Sequence, residues 1–224
     1  MKKIISIIAV FIGLNTYSQE INFGAKAGVN FASIAGDDAD GLNNRTSFHV
    51  GFLAEIPLAP KFSLQPEIQY SAQGATAKGR VFTTEGTFSY EAKIKLDYIN
   101  LPVMANYSIT DKFSLQAGPQ IGFLVSAKAE AEVSDGMETG SAAESTKDDF
   151  KAVDFGIGFG AEYEFANGLF LNARYVLGLT NILKPIDITS ITDQGNDPTL
   201  TADGKSYQPK SHNTLIQLSV GYMF

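Results

Sequence analysis

Apolar side chains occupy every second position at the end of the chain. One face of this segment carries Ile216, Leu218, Val220, Tyr222 and Phe224. A period of two predicts a β-strand whose two faces meet different environments. Since aromatic residues of a membrane barrel gather at the membrane boundaries, Tyr222 and Phe224 indicate a strand that ends at such a boundary.

The same alternation recurs in seven earlier segments. It is uninterrupted from Ala152 to Phe165, where apolar residues alternate with Gly, Asp and Glu. The other segments are 21–31, 47–57, 62–73, 96–107, 113–128 and 169–181. Together with the final strand they predict an all-β fold, an eight-stranded antiparallel up-and-down transmembrane β-barrel. The interior of a barrel with eight strands is just wide enough to be filled by side chains.

The predicted connections are alternately short and long, which is the layout of an outer-membrane barrel with long loops outside and tight turns in the periplasm. The short ones are 58–61, 108–112 and 166–168, and the long ones are 36–46, 74–93, 129–149 and 182–212. We expect part of 74–93 to extend two strands beyond the bilayer, and 129–149 to form an acidic loop. Ile94 and Leu96 fall on the opposite parity from Ile99, which predicts a bulge or a membrane boundary near Asp97.

The N-terminus has the order of a secretory signal peptide. Lys2 and Lys3 precede an apolar run from Ile4 to Leu14, and small and polar residues follow. The apolar run is too short to span a bilayer, which needs about 20 residues. We therefore expect residues 1–18 to be a cleaved signal peptide and 19–224 to be the barrel domain.

Composition removes several classes of function. The chain has no cysteine, so disulfides, thiolate metal sites and a lipidated cysteine are excluded. Its formal net charge of -7 is poorly suited to nucleic acid, and we expect no nucleic-acid partner.

Charged residues on the polar parity are candidates for a site inside the barrel. The predicted lumen network contains Lys26, His49, Glu55, Glu67, Asp154, Glu162, Glu164 and Arg174, and Asp97 is also expected to face inward. Charges enclosed in a narrow lumen need partners. We therefore favour an ion-paired core in which Lys26 and Arg174 compensate buried carboxylates; the alternative is a polar path or a small binding site.

Other motifs are weak. The glycines at 156, 158 and 160 are spaced GxGxG, and no helix follows, so a dinucleotide site is not indicated. Asp37, Asp38 and Asp40 could bind calcium, but the segment lacks the spacing of an EF-hand and is better explained as a solvated loop. His49 and His212 lie in no nucleophile motif. We expect no cofactor, no metal site and no catalytic residues.

Several segments together resemble one known family. LQPEIQYSAQG, YINLPVMANY, AGPQIGFLVSAK, DFGIGFGAEYEF and NARYVLGLTNI follow one another in this order. They look like the PorT-like outer-membrane β-barrel family, and the resemblance covers about residues 21–224. It implies the barrel fold and an outer-membrane location. The family's namesake is associated with protein secretion across the outer membrane. The terminal phenylalanine and its alternating stripe also resemble the signal read by the barrel-assembly machinery.

The sequence thus predicts a non-enzymatic barrel in the cell outer membrane, with a structural or surface-binding role through its long external loops. The alternatives are a component of a secretion or assembly machine and a narrow solute pore. The expected partners are outer-membrane lipid, the assembly machinery during biogenesis, and an unknown envelope protein or surface ligand. A soluble lipocalin-like barrel would need an apolar interior, whereas here the polar parity must face inward.

Overall fold

The computed structural model describes residues 20–36, 41–83, 86–134, 139–185 and 210–224. Their secondary structure is almost entirely β. The strands are β1 (Asn22–Gly36), β2 (Leu42–Ala59), β3 (Phe62–Thr83), β4 (Gly86–Ser108), β5 (Phe113–Ser134), β6 (Thr139–Ser145), β7 (Val153–Glu164), β8 (Leu169–Gly178) and β9 (Ser211–Met223). One short 3-10 helix, Lys147–Asp149, follows β6. No helix in these ranges is both long and apolar enough to cross a membrane.

Eight of the strands form a closed antiparallel ring. Neighbours in sequence pair with each other, except that β5 pairs with β7, and β1 pairs with β9 to close the sheet. The closing register runs from Gly24 opposite Met223 to Gly36 opposite Ser211. The predicted eight-stranded up-and-down barrel is therefore confirmed.

A ninth strand was not predicted. β6 lies within 129–149, which the sequence indicated as an acidic loop, and it pairs with the extended end of β5. That expectation was wrong because Ala129, Ala131 and Val133 alternate with glutamates on β5, so the segment has the strand period despite its charge. The predicted extension of β3 and β4 through 74–93 is confirmed, since they pair as far as Thr83 and Gly86.

The outward face of the ring is apolar over a broad belt. Phe155, Phe159 and Tyr175 are among its residues, each more than 40% exposed. Three aromatic pairs lie near the short turns: Phe62 with Tyr107, Tyr163 with Phe165, and Tyr222 with Phe224, at centroid distances of 4.9, 5.0 and 5.9 Å. One of these turns contains Gly168, whose φ of 81° suits glycine. The belt and its aromatic rim have the arrangement that a lipid-facing barrel surface requires.

The interior changes character along the barrel axis. Its half nearer the short turns is mainly polar, as the alternation predicted, although Leu53, Met104 and Phe170 are buried there as well. The half nearer the long connections contains an apolar cluster, which we call the apolar plug: Ile34, Ala75, Leu96, Tyr98, Leu124, Ala127, Phe150 and Ile182. The expectation of an entirely polar lumen is thus wrong for this half.

The chemistry of the outer face changes at the same height. Leu96 and Tyr98 are buried inside, so Asp97 between them points outward, and its predicted inward position is wrong. The predicted irregularity is present, because the register of β4 and β5 shifts between Asp97 and Tyr98. Beyond this point the outward side chains are charged, such as Lys93 and Lys95, whereas Ile99 and Leu101 lie on the apolar side. Asp97 therefore marks one boundary of the apolar belt.

Candidate functional site

Three charged side chains from separate strands meet in the polar half of the lumen. Arg174 donates from Nη1 and Nη2 to the two carboxylate oxygens of Glu67, at 3.0 and 2.7 Å. Lys26 Nζ lies 2.7 Å from Glu67 Oε2. The three side chains are no more than 2% exposed. We call these residues the charge cluster; in it one buried carboxylate is shared by two cations.

Amide side chains surround the charge cluster. Gln65 donates to Glu67 Oε1 at 2.8 Å, and Asn106 donates to Gln65 Oε1 at 2.7 Å. On the other side, Arg174 and Asn172 both donate to Gln116 Oε1. These bonds fix the rotamers of the charged groups, so this level of the lumen is occupied by one connected polar network.

The remaining carboxylates at this end lie closer to the short turns. Glu162 accepts hydrogen bonds from Gln116 and Asn172, at 3.1 and 3.2 Å. Glu55 accepts one from Ser63. Glu164 is exposed at the end of β7 and lines a small recess with Glu55 and Glu162. Within the described residues no ion pair joins these three glutamates to the charge cluster. Glu162 is therefore joined to the charge cluster only through the amides of Gln116 and Asn172, and among the described residues no hydrogen bond or ion pair joins Glu55 or Glu164 to it.

His49 forms a second group that sequence reasoning did not recognise. Its Nδ1 lies 2.7 Å from Asn30 Oδ1 and its Nε2 lies 2.7 Å from Ser219 Oγ. Because Asn30 Oδ1 only accepts, Nδ1 carries the proton and Nε2 accepts from the Ser219 hydroxyl. The strand registers explain why these residues meet, since Gly28 lies opposite both His49 and Ser219. A Cβ at Gly28 would come within 2.7 Å of the imidazole, so glycine is needed for His49 to reach across β1.

This arrangement has the order of a nucleophile, a base and an orienting amide. A catalytic serine must, however, be reached by substrate. Asn30, His49 and Ser219 are at most 7% exposed, and they pack inside the lumen. Asn30 also donates to Ser71 Oγ and to the Ala72 carbonyl, at 3.0 and 2.8 Å. These hydrogen bonds join four consecutive strands of the ring, β9, β1, β2 and β3, and leave the serine enclosed.

Asp154 lies where the polar half meets the apolar plug. It accepts hydrogen bonds from Thr180 and from Asn213 Nδ2, the latter at 2.8 Å. Asn213 Nδ2 also lies 3.3 Å from the Tyr98 hydroxyl. Above this level Phe150 and Ile182 fold in from two connections and are at most 6% exposed. The lumen is thus filled by apolar side chains on one side of Asp154 and largely by polar ones on the other, where Met104 and Phe170 are also buried.

The C-terminal stripe faces outward. Ile216, Leu218, Val220 and Tyr222 are each about half exposed, and Phe224 is more so. The backbone N–H groups of Met223 and Phe224 donate to the carbonyls of Gly168 and Phe23, at 2.8 Å each. The stripe therefore closes the ring and contributes to the apolar belt; its recognition by assembly machinery stays a prediction.

The candidate calcium segment can be described only in part. Asp37, Asp38 and Asp40 lie outside the described residues. Within the described ranges no group of three or more His, Asp or Glu side chains is placed to hold a metal ion.

A sheet projects beyond the ring at the end that carries the long connections. We call it the projecting sheet: β6 with residues 77–83, 86–95 and 128–134 of β3, β4 and β5. On its outer face Lys78 and Lys93 both contact Glu91 Oε1 at 3.2 Å, and Lys95 contacts Glu130. Hydrogen bonds from Lys78 and Lys93 hold the pKa of Glu91 below its ordinary value. This face is therefore a ladder of cross-strand ion pairs.

Comparison with known proteins places this geometry in a family. The model of the family described as "Outer membrane protein beta-barrel domain" matches residues 17–184. The chain belongs to that family. The family places this barrel in the outer membrane, in agreement with the apolar belt. No curated protein matches the chain.

Solved outer-membrane proteins have a similar strand arrangement. The attachment invasion locus protein Ail of Yersinia pestis is 11% identical, with 92% of this barrel and 100% of Ail covered and a TM-score of 0.46. Neisserial surface protein A is 12% identical, with 92% and 100% covered and a TM-score of 0.44. The outer membrane protease OmpT of Escherichia coli is 12% identical, with 95% and 100% covered and a TM-score of 0.38.

The charge cluster predicts an order of mutational effects. Glu67→Gln leaves two buried cations without a carboxylate and should lower the free energy of unfolding by about 3–5 kcal/mol. Arg174→Met keeps the Lys26–Glu67 pair and removes only the guanidinium bonds, so we expect a loss of about 1–3 kcal/mol. Urea unfolding of the barrel in detergent micelles measures both. Lys61→Met in an exposed turn is the control, and an equal or smaller loss for Glu67→Gln would contradict the shared-carboxylate arrangement.

Proposed function

We propose that this barrel is a non-conducting, non-enzymatic outer-membrane protein that presents the projecting sheet as a binding surface. The proposal rests on two features of the same chain. The charge cluster and the apolar plug fill the lumen at two levels, and four strands continue beyond the apolar belt. The short turns, the start of β1 and the end of β9 then face the periplasm, and the projecting sheet faces the outside.

The filled lumen argues against the solute pore. The charge cluster and its amides occupy one level, and the apolar plug occupies the next, so water and ions would have to displace both. Removing water from a carboxylate and two cations is tolerated only because they are paired. A conducting path would break those pairs.

The non-enzymatic role is proposed because the candidate nucleophile and base are enclosed in the lumen, not because the chain lacks such residues. Ser219 and His49 are correctly spaced for chemistry, but both are buried inside the packed lumen. We therefore assign this group to stabilisation of the barrel.

A role in secretion, as the PorT-like resemblance suggests, is the second candidate. It would place the partner contacts at the periplasmic turns, where Asp111 and Lys112 are exposed. The cleaved signal peptide at 1–18 and recognition of the terminal stripe by the assembly machinery belong equally to both candidates.

Planar-bilayer recordings test the closed lumen. The purified barrel should insert without steady single-channel steps, because both levels of packing stay intact at neutral pH. A large-pore porin prepared in the same detergent is the positive control. Reproducible ohmic steps from the barrel would contradict the non-conducting role.

Site-directed cross-linking on intact cells tests which end of the barrel engages a partner. We expect a photoreactive probe at Ser141→Cys on β6 to capture material at the cell surface, and the same probe at Asp111→Cys in a short turn to capture none. The absence of native cysteine makes each probe unique. Cross-links from Asp111→Cys alone would instead favour the secretion component.

A further inference from the structure

The outer face of the projecting sheet contains a groove of about 440 Å³. It crosses β3, β4, β5 and the start of β6, and so lies well beyond the apolar belt. Its lining residues are Lys78, Gly79, Arg80, Ser89, Tyr90, Glu91, Glu132, Ser134 and Thr139. Cations, carboxylates and hydroxyl groups thus converge on one concave surface.

Among the described residues that line the groove, one cation makes no ion pair. Glu91 is contacted by Lys78 and Lys93, and Glu132 lies 3.8 Å from Lys93. Within the described part of the chain, Arg80 makes no ion pair. A guanidinium is suited to bidentate recognition of a carboxylate, because its planar N–H fork matches two oxygens. The groove therefore offers an anion site in a protein whose formal net charge is -7.

Hydroxyl groups lie beside this cation on a regular sheet. The registers place Arg80 opposite Ser89, Ser89 opposite Ser134, and Ser134 opposite Thr139. Ser89 Oγ donates to the Ser134 carbonyl at 3.3 Å, and Thr139 Oγ1 donates to Ser134 Oγ at 3.3 Å. A row that runs from a guanidinium across three hydroxyl-bearing residues fits a ligand with a carboxylate at one end and hydroxyls along its length.

We propose that this groove binds an acidic saccharide, with a sugar carboxylate on Arg80 and sugar hydroxyls on the Ser89, Thr139 and Glu132 side. The inference rests on the proposed surface-binding function and names its ligand class. Glu132 and Glu91 are acceptors for sugar hydroxyls, whereas the ionised side chains of an acidic peptide have no hydrogen to donate to them. Two sources share this chemistry: the glycolipid of the cell's own outer leaflet, and a glycan from outside the cell.

Calorimetry with defined probes tests the ligand class. The purified barrel in detergent micelles is titrated with tetragalacturonate, with neutral maltotetraose, and with tetraglutamate, which carries side-chain carboxylates but no hydroxyls. We expect tetragalacturonate to bind and the other two to bind at least about tenfold more weakly. Equal affinity for tetraglutamate would overturn the saccharide assignment, and equal affinity for maltotetraose would overturn the role of the carboxylate.

Matched variants locate the site. Arg80→Gln should weaken tetragalacturonate binding about tenfold, since a charge-assisted bidentate contact is lost. Lys61→Gln removes the same charge at the opposite end of the barrel and should leave the affinity unchanged. An unchanged affinity in Arg80→Gln, or equal weakening in both variants, would overturn the proposal.

Competition with nanodiscs distinguishes the glycolipid of the outer leaflet from a glycan that comes from outside the cell. If the glycolipid is the ligand, nanodiscs that contain lipopolysaccharide will compete with tetragalacturonate, and phospholipid nanodiscs will not; if the ligand comes from outside, neither will compete. Should no saccharide bind while probes at Ser141→Cys still cross-link on cells, the saccharide proposal falls and the surface-binding function stands. If those cross-links are lost as well, both the saccharide proposal and the surface-binding function are contradicted.

Discussion

The structure depends on the need to pair every backbone N–H and C=O group across a surface that lipid covers. Hydrocarbon offers no hydrogen-bonding partner, so the sheet has to close on itself. It does so between β1 and β9, whose register extends from Gly24–Met223 to Gly36–Ser211. Closure with eight strands sets the small width of the lumen, and this width explains why inward charges meet each other rather than water.

Near Asp97 the polarity of both faces of the sheet reverses: the outward side chains change from apolar to charged, and the inward ones change from polar to apolar. On one side, apolar residues such as Ile99 face outward and the charge cluster lies within. On the other side, Lys95 and Glu130 face outward, and Leu96 belongs to the apolar plug. The same barrel is thus built as a membrane protein along part of its axis and as a water-soluble β-structure along the rest. The projecting sheet continues this second part, which is why it can expose a charged groove.

Alternation of side chains predicted the fold because a strand has only two faces. The parity of Lys26, Glu67 and Arg174 placed them in the lumen from the sequence alone. Their mutual contact was proposed only in general terms, because β1, β3 and β8 are not all neighbours, and the contact depends on the stagger of the ring. The His49 group was missed for a related reason: Ser219 and Asn30 carry no charge, and only the registers bring them to His49. β6 was not predicted because the glutamates opposite it on β5 indicate a loop by their charge, although their spacing has the period of a strand.

The apolar plug shows the limit of the parity argument more clearly. Leu96 was recognised as lying on the opposite parity from Ile99, but its place in an apolar interior depends on Phe150 and Ile182 folding in from distant connections. Such contacts depend on tertiary packing, and no local sequence pattern predicts them.

The most direct test of the central claim uses the absence of native tryptophan. Single tryptophans at Phe155→Trp, Phe159→Trp and Tyr175→Trp are compared with inward controls at Phe170→Trp and Tyr98→Trp in bilayers of brominated phosphatidylcholine. If lipid covers the outward parity, fluorescence is strongly quenched at the first three positions and retained at the controls. If the inward tryptophans are quenched while the outward ones stay fluorescent, the assignment of the outward face to lipid is contradicted.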